Sequence, residues 1–242
     1  MKTKTDTFGD TLARRAAQVQ RGGARAAVLG VNDGLVSTLC LVVGMAATGA
    51  DAKVVLTAGF AGLLAGSISM AAGEWISVKA QVELFEGVLG DVRHAIRKDR
   101  DRLTDDLAEN FEDNGMDEAT AGDAAEGVAT DDKRLLAMYA SQVIGINKEE
   151  LGSPWVAAIS SFLLFTVGSI VPLLPWIIGM HGWSGISVAI VLTGIGSLCV
   201  GAYTARSSGK NLAYGALRQL LIVIFAAAVT YGIGHIFGVA TS

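Results

Sequence analysis

Five apolar runs, each longer than twenty residues, constrain this chain more than any other feature: Ala26–Ala50, Val54–Val78, Trp155–Met180, Ser184–Ala205 and Leu212–Phe237. A helix rises ~1.5 Å per residue, so about 20 such residues cross the ~30 Å hydrocarbon core of a bilayer. Inside lipid every backbone N–H and C=O must find its partner within the protein, and a helix does this segment by segment. The composition agrees: 51% of the 242 residues are hydrophobic and only 17% are charged, where a soluble surface needs roughly a quarter. The fold class expected is therefore an all-α membrane protein, with five transmembrane helices and a small helical insert between helices 2 and 3. The boundaries read as an amphipathic N-terminal helix over 1–25, helices 1–2 over 26–79, an acidic cytoplasmic helical domain over 80–153, and helices 3–5 over 154–242.

Charge placement orients the spans. Of 19 Lys and Arg residues, only Lys53 falls on the side that holds the loop between spans one and two, the His181–Trp183 loop and the C-terminus. Excess Lys and Arg mark the cytoplasmic side, which places the N-terminus and the insert inside and Ser242 outside. Residues 80–153 carry 18 Asp and Glu against 8 Lys and Arg, a net charge of −10, whereas the whole chain is −4. Within the insert Leu103, Leu107, Phe111, Leu135, Leu136, Met138, Tyr139 and Val143 offer apolar helix faces. Ahead of span one, Phe8, Leu12, Ala16 and Val19 share one helical face and Arg14, Gln18, Arg21 and Arg25 the opposite one. That pattern suits a helix lying on the membrane surface, or a basic flank that only orients span one.

Other features are less directive. Gly30–Gly34 and Gly62–Gly66 have GxxxG spacing, extended by Gly59 and Gly73. This is either a dimer seam or generic close packing. Pro172 and Pro175 predict a kink or an early end in span three. Cys40 and Cys199 lie in apolar runs without metal-ligand spacing and read as core residues, while His94, His181 and His235 are scattered. No resident cofactor and no nucleic-acid partner is expected.

The chemistry is expected where acids enter the spans. Asp33 and Glu74 are the acids inside apolar runs, and a charge there costs at least ~2.5–3.5 kcal/mol, which marks ion pathways and proton relays. Counted from the cytoplasmic ends of spans one and two, Asp33, Met70 and Glu74 lie ~10, ~13 and ~8 Å deep. Met70 and Glu74 are also i, i+4 and share a face. Two carboxylates with a thioether form a mixed hard and soft set that favours Fe²⁺, Mn²⁺, Co²⁺ or Zn²⁺ over Ca²⁺ or Mg²⁺. Metal binding would displace carboxyl protons, a route to proton-coupled exchange. In the insert, Glu83/Glu86 and Glu109/Glu112 have i, i+3 spacing, and Glu149 and Glu150 close it. Such acids either bind a divalent cation or form a solvated face.

At these residues the chain resembles a known family. NDGLVST (Asn32–Thr38), SMAAGEWISV (Ser69–Val78), EELGSPW (Glu149–Trp155), ALRQLLI (Ala216–Ile222) and TYGIG (Thr230–Gly234) are similar to segments of the vacuolar iron transporter family. The yeast vacuolar calcium-cross-complementer proteins and the plant nodulin-21-like proteins belong to it. The resemblance covers the chain from about Arg25 onward. It implies five spans, a homodimer embedded in lipid, no enzymatic activity, and proton-coupled export of Fe²⁺ or Mn²⁺ from the cytosol. It also implies transport roles for Asp33 and Met70, with Glu74 the acid of the same motif. Aligned without gaps, the first pair of the family's cytoplasmic metal-binding glutamates falls here on Val92 and Ala95, so the insert departs from the pattern. Competing readings are a divalent exporter with another main substrate and a metal sensor that moves nothing. An intramembrane aspartyl protease would need a second aspartate beside Asp33. The chain shows no eukaryotic-looking sorting extension, which favours a prokaryotic plasma membrane.

Overall fold

The computed structural model describes residues 22–146 and 152–241, and all regular structure among them is helical. Eight helices follow in order: α1 (Gly22–Ala47), α2 (Ala52–Lys98), α3 (Arg100–Asp113), α4 (Glu118–Ala129), α5 (Asp132–Gln142), α6 (Pro154–Ile177), α7 (Gly182–Ser207) and α8 (Leu212–Thr241). Helices α1, α2, α6, α7 and α8 are long and apolar enough to cross a membrane. The expected surface helix over 1–25 falls outside the described residues up to residue 21, and Gly22 already opens α1. Glu149 and Glu150 also lie outside them.

The chain divides into two compact units, one of residues 1–76 and 154–242, the other of residues 77–153. In the first, α1 is the central helix. It packs most extensively on α6 and also touches α7 and α8. Its Leu39, Val42 and Val43 join Val55 and Leu63 of α2, Leu173 and Trp176 of α6, Ile186 and Ala189 of α7, and Val223 and Ala227 of α8 in one buried cluster. Outward faces are equally apolar: Leu64, Ile68, Val191, Leu221 and Phe225 are exposed, as lipid contact requires. Trp75 and Trp155 meet edge to face at 5.9 Å at one end of the bundle, and Trp183 and Tyr231 meet at 5.4 Å at the other. Tryptophan and tyrosine are the residues that settle at membrane–water boundaries.

Helix α6 continues through Pro172 and Pro175, both fully buried, and ends at Ile177, before the Met180 expected from hydropathy. A proline supplies no N–H to the carbonyl four residues back, so the last turn is weakened. Cys199 is exposed on α7 and Cys40 is half-buried, so the reading of both as core residues is corrected. In lipid an apolar run does not reveal which of its faces is inside.

In the second unit, the end of α2 packs Val92 and Ile96 on Leu103 and Leu107 of α3, Ala125 of α4 and Leu135 of α5. Acids do structural work here. Asp99, Asp117 and Asp131 cap α3, α4 and α5 by accepting from the N–H groups of Arg102, Thr120 and Lys133. Such bonds satisfy donors that a helix start leaves open. Thr120 holds the Asp117 carboxyl below the usual carboxylate range through its hydroxyl and its backbone N–H, and the Lys133 N–H does the same for Asp131. Arg100 donates to the Ala129 carbonyl at 3.0 Å and pairs with Asp132, and the Tyr139 hydroxyl donates to Asp106 at 3.0 Å.

Candidate metal site in the membrane unit

The NDG and SMA segments lie on two helices, α1 and α2. Between these helices and α6 lies a cavity of ≈ 400 Å³ lined by Asp33, Ser37, Thr38, Leu41, Gly62, Gly66, Ser69, Met70 and Phe165. Asp33 and Met70 therefore face one space, as their matched depths predict. Glu74, one turn further along α2, is half-buried and is not among the lining residues.

Close packing forms the walls. Gly34, beside Asp33, sits where α1 crosses α6: a Cβ there would meet the Phe165 carbonyl and lie 3.0 Å from both N and Oγ of Ser169. Ser169 Oγ also donates to the Gly34 carbonyl at 3.4 Å. On α2 the glycine stripe receives side chains instead of backbone: Leu173 lies over Gly59, Leu41 over Gly62 and Phe165 over Gly66. Ser67 and Thr166 hydroxyls hydrogen-bond at 2.9 Å. Both GxxxG spacings are thus used within the chain, and they give no separate argument for a dimer seam.

The polar groups at the cavity are one carboxylate, one thioether and the hydroxyls of Ser37, Thr38 and Ser69. Ser37 Oγ donates to the Asp33 backbone carbonyl at 2.5 Å, which leaves the carboxylate to other partners. Hard oxygen and soft sulfur together suit a borderline transition-metal ion. Sequence reasoning named Asp33 and Met70. It did not assign Phe165, because nothing in an apolar run shows that one aromatic closes a polar space.

The acids of the second unit are differently placed. Glu83, Glu86, Glu109 and Glu112 are all exposed, and Glu83 pairs with Lys79 at 3.3 Å. No three His, Cys, Asp or Glu side chains converge among the described residues. Val92 and Ala95, where the family resemblance would put ligands, belong to the hydrophobic cluster of this unit.

The family model described as "VIT family" matches residues 24–235. The chain belongs to the VIT family. Among its relatives, "Vacuolar iron transporter homolog 1" of Oryza sativa subsp. japonica is 31% identical over 220 residues, covering 88% of this chain and 73% of that one. "Vacuolar iron transporter homolog 1" of Arabidopsis thaliana is 32% identical over 222 residues, with 88% and 82% covered. "Vacuolar iron transporter" of Acanthamoeba castellanii is 30% identical over 220 residues, with 89% and 78% covered. This VIT-family member is an integral membrane protein of a transporter family, not of an enzyme family.

Proposed function

We propose that this VIT-family protein exports Fe²⁺, Mn²⁺ or both from the cytosol in exchange for protons, with Asp33 and Met70 as ligands of the transported ion. The observation that carries the reading is the shared cavity of a carboxylate on α1 and a thioether on α2, inside spans where a lone charge is costly. Asp33 holds the metal when ionised and a proton when neutral, so one group alternates between the two cargoes. Met70 adds softness that favours transition metals over Ca²⁺ and Mg²⁺. Glu74, one turn away, is proposed to receive or release the ion beside this cavity, not within it. Glu83, Glu86, Glu109, Glu112, Glu149 and Glu150 are proposed to attract cations through the −10 field of residues 80–153.

The proposed orientation has the N-terminus and residues 80–153 in the cytosol and Ser242 outside, in a prokaryotic plasma membrane. A homodimer is proposed from the family resemblance alone, and mass measurement in detergent tests it. The function is tested by metal flux into proteoliposomes under an imposed pH gradient, with Fe²⁺ and Mn²⁺ in competition. Wild-type protein should accumulate metal only with the gradient, and Asp33→Asn, which keeps the volume and removes the charge, should reduce flux to background while folding normally. A folded Asp33→Asn protein that transports at the wild-type rate overturns the assignment. Metal binding without flux by the wild type would favour a sensor.

A further inference from the structure

Beside the carboxylate on α1 lies a second polar group whose partner comes from the far end of the chain. The Gln219 side-chain amide on α8 donates to Asn32 Oδ1 on α1, across 187 positions of sequence. Both residues are part-buried and lie in helices long and apolar enough to cross a membrane. An amide without a partner is costly in such surroundings.

Gln219 reaches α1 because α7 and α8 come unusually close. A Cβ on Gly201 of α7 would lie 2.5 Å from the Gly215 carbonyl and 2.9 Å from the Gln219 Cβ. The two glycines bring the backbones together, and the stem of Gln219 runs over Gly201.

Successive residues on a helix point about 100° apart. Asn32 is held by α8, Asp33 faces the cavity, Gly34 abuts α6, and Leu35 lies against Gly196 of α7. Of the other two anchors flanking Asp33, Leu35 makes a van der Waals contact and Gly34 adds only the long 3.4 Å bond from Ser169 Oγ to its backbone carbonyl, and both tolerate a small rotation of α1. The amide pair is directional and does not.

We infer that Gln219 is a positioning residue for Asp33: by binding Asn32 it fixes the rotation of α1 that turns Asp33 into the cavity between α1, α2 and α6. The transport consequence rests on the proposed function, whereas the rotation does not, and the test separates them.

The rotation is read with Asp33→Cys in a chain carrying Cys40→Ala and Cys199→Ala, labelled by a water-soluble methanethiosulfonate. Adding Gln219→Leu should slow labelling about fivefold, the weight of one interhelical hydrogen bond. Exchanging the pair, with Asn32→Gln and Gln219→Asn, should restore the rate. An unchanged rate in folded Gln219→Leu protein overturns the inference. Where Gln219→Leu does not fold, the exchanged pair decides: a wild-type rate supports the inference and a fivefold loss overturns it. In a chain that retains Asp33, Gln219→Leu should raise the KM for Fe²⁺ flux about fivefold with little change in kcat. A loss confined to kcat would indicate a smaller folded fraction and count against positioning. If labelling responds as stated but wild-type protein moves no metal, the transport reading fails and the positioning stands. If wild-type protein transports and labelling does not respond, the reverse holds.

Discussion

Adding a single methyl group at Gly34 should separate the two roles of glycine in this bundle. The Cβ of Gly34→Ala would run into the Phe165 carbonyl and approach Ser169 N and Oγ to 3.0 Å, and two of those three atoms are backbone. Backbone cannot swing aside, so α1 and α6 must move apart. Overpacking of this kind costs about 1–3 kcal/mol. The hydrogen bond from Ser169 Oγ to the Gly34 carbonyl would be lost with it, at about 1 kcal/mol. Alanine also recovers up to about 1 kcal/mol of helix propensity. Gly73→Ala supplies the control, since nothing lies within 4 Å of a Cβ at that position of α2 and the propensity gain is the same. Subtracting the two cancels propensity and leaves Gly34→Ala less stable than Gly73→Ala by about 2–4 kcal/mol. Reversible unfolding in mixed micelles, followed by tryptophan fluorescence, measures the difference. Equal stability of the two variants would refute the close crossing of α1 and α6 at Gly34.

Three further outcomes are expected. Met70→Ala should reduce flux of Fe²⁺ more than flux of Mn²⁺, because a thioether contributes softness and no charge; equal losses in competition assays would remove Met70 from the ligand set. In a chain with Cys40→Ala and Cys199→Ala, a membrane-impermeant thiol reagent applied to intact cells should label Ser242→Cys and spare Asp105→Cys, and the opposite pattern would invert the proposed topology. Asp117 and Asp131 have carboxyls held low in the folded state, so their contribution is complete above the unfolded carboxylate value of ~3.9 and is lost as pH falls through the folded values. Hydrogen-exchange protection of α4 and α5, corrected for intrinsic rates, should therefore fall on acidification below about pH 4 and do so less in Asp117→Asn protein.

The bilayer explains how much of this fold is legible in the sequence. It fixes span length through one number, the hydrocarbon thickness, so five apolar runs read directly as five helices, whose ends fall close to the ends of the runs except that α2 continues beyond Val78 to Lys98. The helical unit between α2 and α6 was equally legible, because it is amphipathic: Leu103 and Leu107 stand one helical turn apart and are buried, as is Leu135 of α5. The shared depth of Asp33 and Met70, which now line one cavity, was legible for a different reason. Depth along a helix is a count of residues, and a charge inside an apolar run is conspicuous. Azimuth is not such a count. Lipid is as apolar as the protein core, so hydropathy cannot show that Cys199 and Phe225 face outward while Leu39 and Val43 face inward. For the same reason depth alone grouped Glu74 with Asp33 and Met70, although only the last two line the cavity. The use of the GxxxG glycines within the chain, the Phe165 wall and the pairing of Gln219 with Asn32 depend on which helix lies beside which. Sequence alone set the number, length and depth of the helices. Only the tertiary structure decided their neighbours and rotations, because those follow from shape complementarity and directional hydrogen bonds between residues far apart in the chain.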